Sequence, residues 1–139
     1  MGKMGGSRHL KRFAAPGFWP IPKKEKKWVV KPSPGPHPIG ACIPLLLIVR
    51  DILKLATTAR EAKRIIKAGK VLIDGRPVFD HKFPVGLMDT VHIPDADLCL
   101  RATSDASKFI KFIEIPEEEV NLKVVRIKRK QTVKGLSLI

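Results

Sequence analysis

The sequence predicts an α+β fold in which two helices pack on a small antiparallel sheet, after an extended basic arm and before the opening strands of a β domain. Three observations predict it. Residues 1–38 hold seven of the 12 prolines, which excludes a regular helix or a central strand there. Residues 43–55 and 58–68 show the apolar patterns of helices. Asp74-Gly75 separates two β-prone runs within residues 70–79, which is the strongest short signal for a hairpin.

Charge and composition divide the 139 residues into three expected parts: an extended arm (1–38), a compact module (39–105) and an apparently incomplete β segment (106–139). The formal net charge is +14, and over half of it lies in the arm, where Glu25 is the single acid. Such an excess indicates a polyanionic partner, nucleic acid first and an anionic membrane second. The longest apolar run, residues 45–49, is far short of the roughly 20 residues of a membrane span.

Aromatic rings are interleaved with the arm's cations. Phe13, Phe18, Trp19 and Trp28 lie among six lysines and arginines of residues 11–27. Rings of this kind stack on unpaired bases while neighbouring cations contact phosphates. The same rings would also dock the arm on its own domain, and the sequence leaves both alternatives open.

The module begins with two predicted helices. Residues 43–55 are apolar nearly all round, with Pro44 in the first turn, so this helix should be mostly buried. The second helix opens with the capping box of Thr58 and Glu61 and stops at Gly69. At about 100° per residue, its four basic side chains at i, i+3, i+4 and i+7 share one face. A solvated face would mix signs, so a face of cations alone indicates an external anion.

Several strands are expected after this helix. The Asp74-Gly75 hairpin ends in an edge strand because Pro77 lacks an amide donor. Residues 86–89 read as a turn into a strand over 90–93. Residues 108–115 and 123–130 read as strands with alternating cations, separated by a short acidic helix start after Pro116. Two strands do not form a stable sheet alone, so we expect residues 106–139 to open a domain whose remainder is missing.

The order of these elements resembles the S-four RNA-binding domain. The best-matching stretch is residues 58–75, from the capping Thr58 to the Asp74-Gly75 turn. In that family the basic helix and the strand after it grip folded RNA. This chain has Ala59 where the family commonly has an arginine directly after the capping residue.

Flanking motifs narrow the resemblance to the archaeal and eukaryotic small-subunit ribosomal protein family S-four-e. Their residues resemble those of the archaeal members more than those of the eukaryotic members. The motifs are His9-Leu10-Lys11-Arg12, Pro34-Gly35-Pro36-His37 and Pro84-x-Gly86-x-x-Asp89. The resemblance implies a structural protein of the cytoplasmic ribosome, with small-subunit ribosomal RNA and neighbouring ribosomal proteins as partners.

The expected RNA contacts combine the arm's basic and aromatic groups with the cationic helix and its flanks. These residues are Arg8, His9, Lys11, Arg12, Trp19, Lys23, Lys24, Lys26, Lys27, Thr58, Arg60, Lys63, Arg64, Lys67, Lys70 and Arg76.

Other classes of function find less support in the sequence. An S-four-domain RNA-modifying enzyme or ribosome-associated factor is the main alternative, but no nucleotide-binding loop or nucleophile elbow is present, and about 34 residues after the module are too few for a catalytic domain. No His or Cys has a partner at metal-ligand spacing, so we expect no metal and no cofactor. A basic membrane-surface protein would use an amphipathic helix, which the arm's prolines prevent.

Overall fold

The computed structural model describes residues 6–138, and its regular elements are mostly short. The strands are β1 (Leu10–Lys11), β2 (Trp28–Val29), β3 (Cys42–Pro44), β4 (Leu72–Ile73), β5 (Arg76–Pro77), β6 (Pro84–Gly86), β7 (Thr90–Ile93), β8 (Leu98–Asp105), β9 (Phe109–Glu114), β10 (Gln131–Val133) and β11 (Leu136–Leu138). The helices are α1 (Leu45–Leu47), which continues as a π-helical turn over Ile48–Ile52, and α2 (Ala59–Lys67).

A five-stranded antiparallel sheet in the order β5-β4-β7-β8-β9 forms the largest layer, and both helices pack with it around one core. The α+β prediction of two helices and an antiparallel sheet is therefore confirmed. Residues 45–49 are completely buried at the centre of the core, as the apolar first helix predicts. No helix within residues 6–138 is both long enough and apolar enough to cross a membrane.

The hairpin between β4 and β5 forms where the sequence predicts it. Asp74 and Gly75 have φ angles of 50° and 75°, the left-handed values that a tight two-residue hairpin turn requires at both positions. Ile73 pairs with Arg76, and Pro77 lies in β5, an edge strand of the sheet. The missing amide of Pro77 therefore disturbs no ladder in the interior.

The first helix is shorter than predicted and differs in type. Ile43 and Pro44 belong to β3, which pairs with β6 instead of starting the helix. The amide of Leu45 donates to the Phe83 carbonyl, so pairing with the β6 region determines where the chain can begin to coil. The helix then widens into the π-helical turn and ends before Lys54, whose φ of 54° is left-handed.

The arm docks on the module through two of the sequence motifs. The His37 ring lies so close to Gly86 that a side chain there would collide with it, and His37 Nε2 is 2.8 Å from the buried Asp89 carboxylate. Gly35 likewise allows close contact with the Pro84 ring. The Pro-Gly-Pro-His and Pro-x-Gly-x-x-Asp motifs are thus two halves of one contact.

Of the two strands predicted after residue 105, the structure contains the first but not the second. Strand β9 forms as expected within residues 108–115, and it pairs with β8, which attaches it to the module's own sheet. The division into parts at residues 38 and 105 stays a prediction. The expected strand over residues 123–130 is wrong: no regular structure forms there, and the chain becomes a strand only at β10, which pairs with β11 across Lys134-Gly135. No strand among residues 6–138 lies beside 123–130 to complete its hydrogen bonds.

Lys123 anchors the start of this exposed segment to the module. Its ammonium group donates to Asp74 Oδ2 at 2.8 Å and also to Asp89 Oδ1. Burial lowers the pKa of Lys123, but its hydrogen bonds to the two carboxylates outweigh this and raise the pKa above its ordinary value. The Asp74 turn, the arm contact at Asp89 and the exit of the chain from the sheet are therefore held by one charged cluster.

Candidate RNA-binding surface

Helix α2 has well-defined ends, and they orient its basic side chains. The Thr58 hydroxyl accepts a hydrogen bond of 3.2 Å from the Glu61 amide, as a capping residue does. The Glu61 carboxylate reaches back as the capping box predicts, but its main hydrogen bonds come from the amide and hydroxyl of Thr57, one residue before the capping residue. Gly69, with φ of 73°, ends the helix as predicted.

The cationic face of α2, defined as Arg60, Lys63, Arg64 and Lys67, is exposed along its length. On the other side, Ala62 and Ile66 are completely buried in the core. Within residues 6–137, no carboxylate lies within 4.0 Å of a nitrogen of these four side chains.

Glu61 is the one acid within α2, and it does not neutralise this face. The Glu61 carboxylate accepts from the Thr57 amide and hydroxyl, which hold it at the cap and lower its pKa. The sequence expectation that the four cations share one uncompensated face is thus what the structure contains.

The loop before β6 lies beside α2 and carries a further exposed cation, Lys82. Burial lowers the pKa of His81, and the positive charge of Lys63 lowers it further. Lys82 and Lys67 act in the same direction, whereas Asp80 opposes them. The loop that carries His81 and Lys82 therefore lies beside α2, and the Phe79 ring of the same stretch packs against Gly69 at the end of that helix. Sequence reasoning missed Lys82, and no periodicity or motif in the sequence would have indicated it.

Lys82 also joins the module to the arm. It lines a groove of about 670 Å³ together with Arg8, Lys31 and the proline-rich residues 32–39. The sequence predicts an RNA contact at Arg8 but gives no such signal for Lys31. The groove places two arm cations near a module cation, so the positive surface does not end at α2.

The remaining module residues of the expected site differ in their availability. Thr58 caps α2 with its hydroxyl. Lys70 donates to Asp95 Oδ2 at 2.6 Å in an exposed ion pair, so part of its charge is already compensated. Arg76 is exposed on the edge strand β5.

A second cationic region, which we call the arm groove, lies between two stretches of the arm, residues 11–13 and 23–27. Its volume is about 490 Å³. The residues that line it are Lys11, Arg12, Phe13, Lys23, Lys24, Lys26 and Lys27. His9 precedes the first of these stretches, and its ring centroid lies 5.6 Å from that of Trp28. The arm groove therefore gathers five of the lysines expected from the sequence.

Two expected contacts, Arg12 and Trp19, are buried instead. Trp19 is 2% exposed, and its indole Nε1 donates a hydrogen bond of 2.7 Å to the Cys42 carbonyl. Arg12 is 4% exposed, and its guanidinium donates twice to the Ile21 carbonyl. Trp19 has no free face for a base, so the docking alternative is correct for this ring. Phe18 packs on Phe109 at 4.9 Å between centroids and is also a docking residue.

We also searched the described part of the chain for metal-binding and reactive-cysteine sites. No group of three or more His, Cys, Asp or Glu side chains within it could hold a metal ion. Burial raises the pKa of the Cys42 thiol to about 11, which is typical of an inert core cysteine.

Comparison with known proteins agrees with the resemblance seen in the sequence. Residues 4–40 match the RS4NT (NUC023) domain and residues 45–91 match the S4 domain. The small ribosomal subunit protein eS4 of Korarchaeum cryptofilum is 59% identical over 135 residues, which cover 97% of this chain and 57% of that protein. The eS4 proteins of Staphylothermus marinus and Aeropyrum pernix are each 53% identical over 135 residues, covering 97% of this chain and 54% and 53% of those proteins.

A solved structure agrees with these relatives. The crystal structure of the 30S ribosomal protein S4e from Thermoplasma acidophilum superposes with a TM-score of 0.54 at 32% identity, covering 68% of this chain and 48% of that one. The chain spans about half the length of the curated relatives it matches. On these sequence matches and this fold, the chain belongs to the eS4 family of small ribosomal subunit proteins.

Proposed function

We propose that this chain is a non-catalytic constituent of the small ribosomal subunit, where it binds and stabilises ribosomal RNA. The observation that carries the proposal is the cationic face of α2, which is exposed and has no carboxylate within 4.0 Å among residues 6–137. The partners are small-subunit ribosomal RNA and neighbouring ribosomal proteins, and the place of action is the cytoplasmic ribosome. The names of the relatives support this assignment.

The physical mechanism is recognition of the phosphate backbone. Like charges at i, i+3 and i+4 destabilise an isolated helix by about 0.2–0.5 kcal/mol per pair. Phosphate groups along the face remove this repulsion and release condensed counterions as they bind. The buried Ala62 and Ile66 hold the helix in place, so the four cations meet the RNA without ordering a new element.

Thr58, Arg60, Lys63, Arg64, Lys67, Lys70 and Arg76 form the module's part of the interface in this proposal. Lys82, exposed on the loop beside α2, adds a cation that also lines a groove with Arg8 and Lys31 of the arm. Thr58 contributes by fixing the first turn of α2, and Lys70 contributes by exchanging Asp95 for a phosphate. The exposed cations of the arm supply the other part.

Charge reversal tests the proposal directly. The variant Arg60→Glu/Lys63→Glu/Arg64→Glu/Lys67→Glu should bind small-subunit ribosomal RNA about 100-fold more weakly or worse at physiological salt. The matched control is Arg126→Glu/Lys128→Glu/Arg129→Glu/Lys130→Glu, which makes the same change in net charge in the exposed segment before β10. Filter binding measures affinity, and co-sedimentation with small subunits measures incorporation.

The two variants separate a specific surface from general attraction. The α2 variant should lose far more affinity than the control and should fail to co-sediment. Equal losses in both variants, or normal binding by the α2 variant with its circular dichroism intact, would show that α2 is not the RNA-binding face.

A further inference from the structure

The arm groove combines positive charge with an exposed aromatic ring. Phe13 is 84% exposed and lines the groove beside the five lysines. A volume of about 490 Å³ lies within the range of about 300–1,000 Å³ that small-ligand sites occupy. Glu25, the one acid of the arm, is not among the lining residues. Phosphate attraction explains the lysines, but it does not explain a phenyl ring held in water among them.

Trp28 is a second exposed ring next to the same lysines. The indole is 53% exposed, and the Nζ atoms of Lys11 and Lys27 lie 5.8 Å and 5.6 Å from its ring centroid. Both lysines also line the arm groove. The groove therefore has an exposed aromatic ring within it and another beside it, and Lys11 and Lys27 belong to both surroundings.

The backbone around these rings is already ordered. Lys11 pairs with Trp28 in the β1–β2 ladder, and the Arg12 amide donates to the Lys27 carbonyl at 3.0 Å. The buried Arg12 guanidinium holds the Ile21 carbonyl at 3.1 Å and 2.8 Å. A ligand bound here pays little entropy for ordering the protein, which favours affinity.

The combination of rings and cations selects one class of ligand. Bases inside a duplex stack on each other and present no free face, whereas an unpaired base exposes a face that stacks on an aromatic side chain. We propose that the arm groove, with Phe13 and Trp28 as its stacking surfaces, binds an unpaired nucleotide of RNA, while the cationic face of α2 contacts backbone phosphates. This inference rests on the proposed RNA-binding function and adds the class of RNA element that the arm takes.

A pair of RNA hairpins tests it with the 139-residue chain. One hairpin carries a single unpaired adenosine bulge, and the other has the same stem with the bulge deleted. The unmodified chain should bind the bulged hairpin about 5- to 150-fold more tightly, which corresponds to the about 1–3 kcal/mol that stacking of one base contributes. Fluorescence anisotropy of end-labelled RNA gives both affinities.

Substitutions then assign the preference to the rings. Phe13→Ala/Trp28→Ala should bind the two hairpins equally, whereas Trp28→Phe should keep most of the preference because a phenyl ring still stacks. Leu136→Ala, which truncates an apolar side chain of similar exposure in β11, is the matched control and should change nothing. Both rings are exposed, so thermal melting should show a normal fold in every variant.

Tryptophan fluorescence provides a second readout that does not depend on affinity alone. A six-nucleotide single-stranded oligoadenylate should quench Trp28, whereas inorganic polyphosphate of the same charge should not. Trp28→Phe leaves buried Trp19 as the sole tryptophan, and its emission should not respond to either.

The outcomes distinguish this inference from the function on which it rests. If the α2 charge-reversal variant weakens both hairpins equally and keeps their ratio, the two surfaces act separately as proposed. Tight but equal binding of both hairpins by the unmodified chain, or equal quenching by polyphosphate, overturns the nucleotide site and leaves the RNA-binding function standing. Failure to bind either hairpin or ribosomal RNA overturns both.

Discussion

The indole Nε1 of Trp19 donates a hydrogen bond of 2.7 Å to the carbonyl oxygen of Cys42, which ties the arm to the first strand of the module. Trp19 is 2% exposed and packs with Ala15 and Ile21 in the main core. The basic arm is therefore held by a buried aromatic anchor, whereas Phe13, Trp28 and the lysines of residues 11–27 remain exposed.

Removing this anchor should destabilise the whole protein. We expect Trp19→Ala to cost about 3–5 kcal/mol in the free energy of unfolding, because it empties a buried site of aromatic size and leaves the Cys42 carbonyl without its donor. Urea denaturation followed by circular dichroism measures it. Trp28→Ala, at the exposed tryptophan, should change stability by no more than a few tenths of a kcal/mol, and a similar loss in both variants would contradict the buried-anchor assignment.

The buried carboxylate of Asp89 should be another point of high cost. It accepts from the Gly86 amide at 3.0 Å and from Lys123, and its Oδ2 lies 2.8 Å from His37 Nε2. Asp89→Ala leaves these groups without their partner, so we expect a loss of about 3–5 kcal/mol.

A surface pair is the control for this substitution. Asp95 pairs with Lys70 at 2.6 Å, but both side chains are more than half exposed. Asp95→Ala should therefore cost under about 1 kcal/mol. Thermal denaturation of both variants decides the comparison, and equal costs would show that the Asp89 cluster is not a structural centre.

The cap of α2 should contribute a smaller, local stability. Thr58→Ala removes the acceptor for the Glu61 amide, and we expect a loss of about 1 kcal/mol. Thr132→Ala, at an exposed position of β10, should have no measurable effect. If Thr58→Ala also weakens RNA binding at low temperature, where the fold is intact, the cap orients the cationic face as well as stabilising it.

Single neutralisations on α2 should change the salt dependence of RNA binding. Lys63→Gln removes one phosphate contact, so the slope of log affinity against log salt should become shallower by about 1. Affinities at four salt concentrations give the slope. Lys134→Gln, in the exposed turn between β10 and β11, should leave the slope unchanged, and an identical change in both variants would argue against localised contacts.

His81 should make stability depend on pH just below neutrality. Burial and the charge of Lys63 lower its pKa in the folded state from the ordinary 6.5, so the unfolded chain takes up a proton at a higher pH than the folded chain does. The stabilisation is full above pH 6.5 and is lost as the pH falls through the window below it. His81→Asn should flatten the decline in melting temperature between pH 7.5 and 5.5, and an unchanged decline would contradict this role of His81.

The sequence by itself determined the elements that depend only on neighbouring residues, namely helix α2 and the hairpin turn. Thr58, Glu61 and Gly69 bound α2, and the spacing of its residues places four cations on one face, because an α-helix has a fixed period. Asp74-Gly75 specifies its hairpin for a similar reason, since the left-handed turn accepts few residue types. These elements hold the same geometry in almost any tertiary surrounding.

Tertiary structure decided what depends on distant partners. Trp19 and Trp28 look alike in the sequence, since each lies near basic residues in a proline-rich arm, yet Trp19 is anchored on Cys42 and Trp28 stays 53% exposed. Lys82 shares a groove with Arg8 and Lys31 only because the loop that carries it folds against the arm. Residues 123–130 have the composition of a strand, but a strand needs a neighbour to accept its hydrogen bonds. Burial and strand pairing are properties of the folded chain as a whole, and they determined which of the basic and aromatic residues are available to RNA.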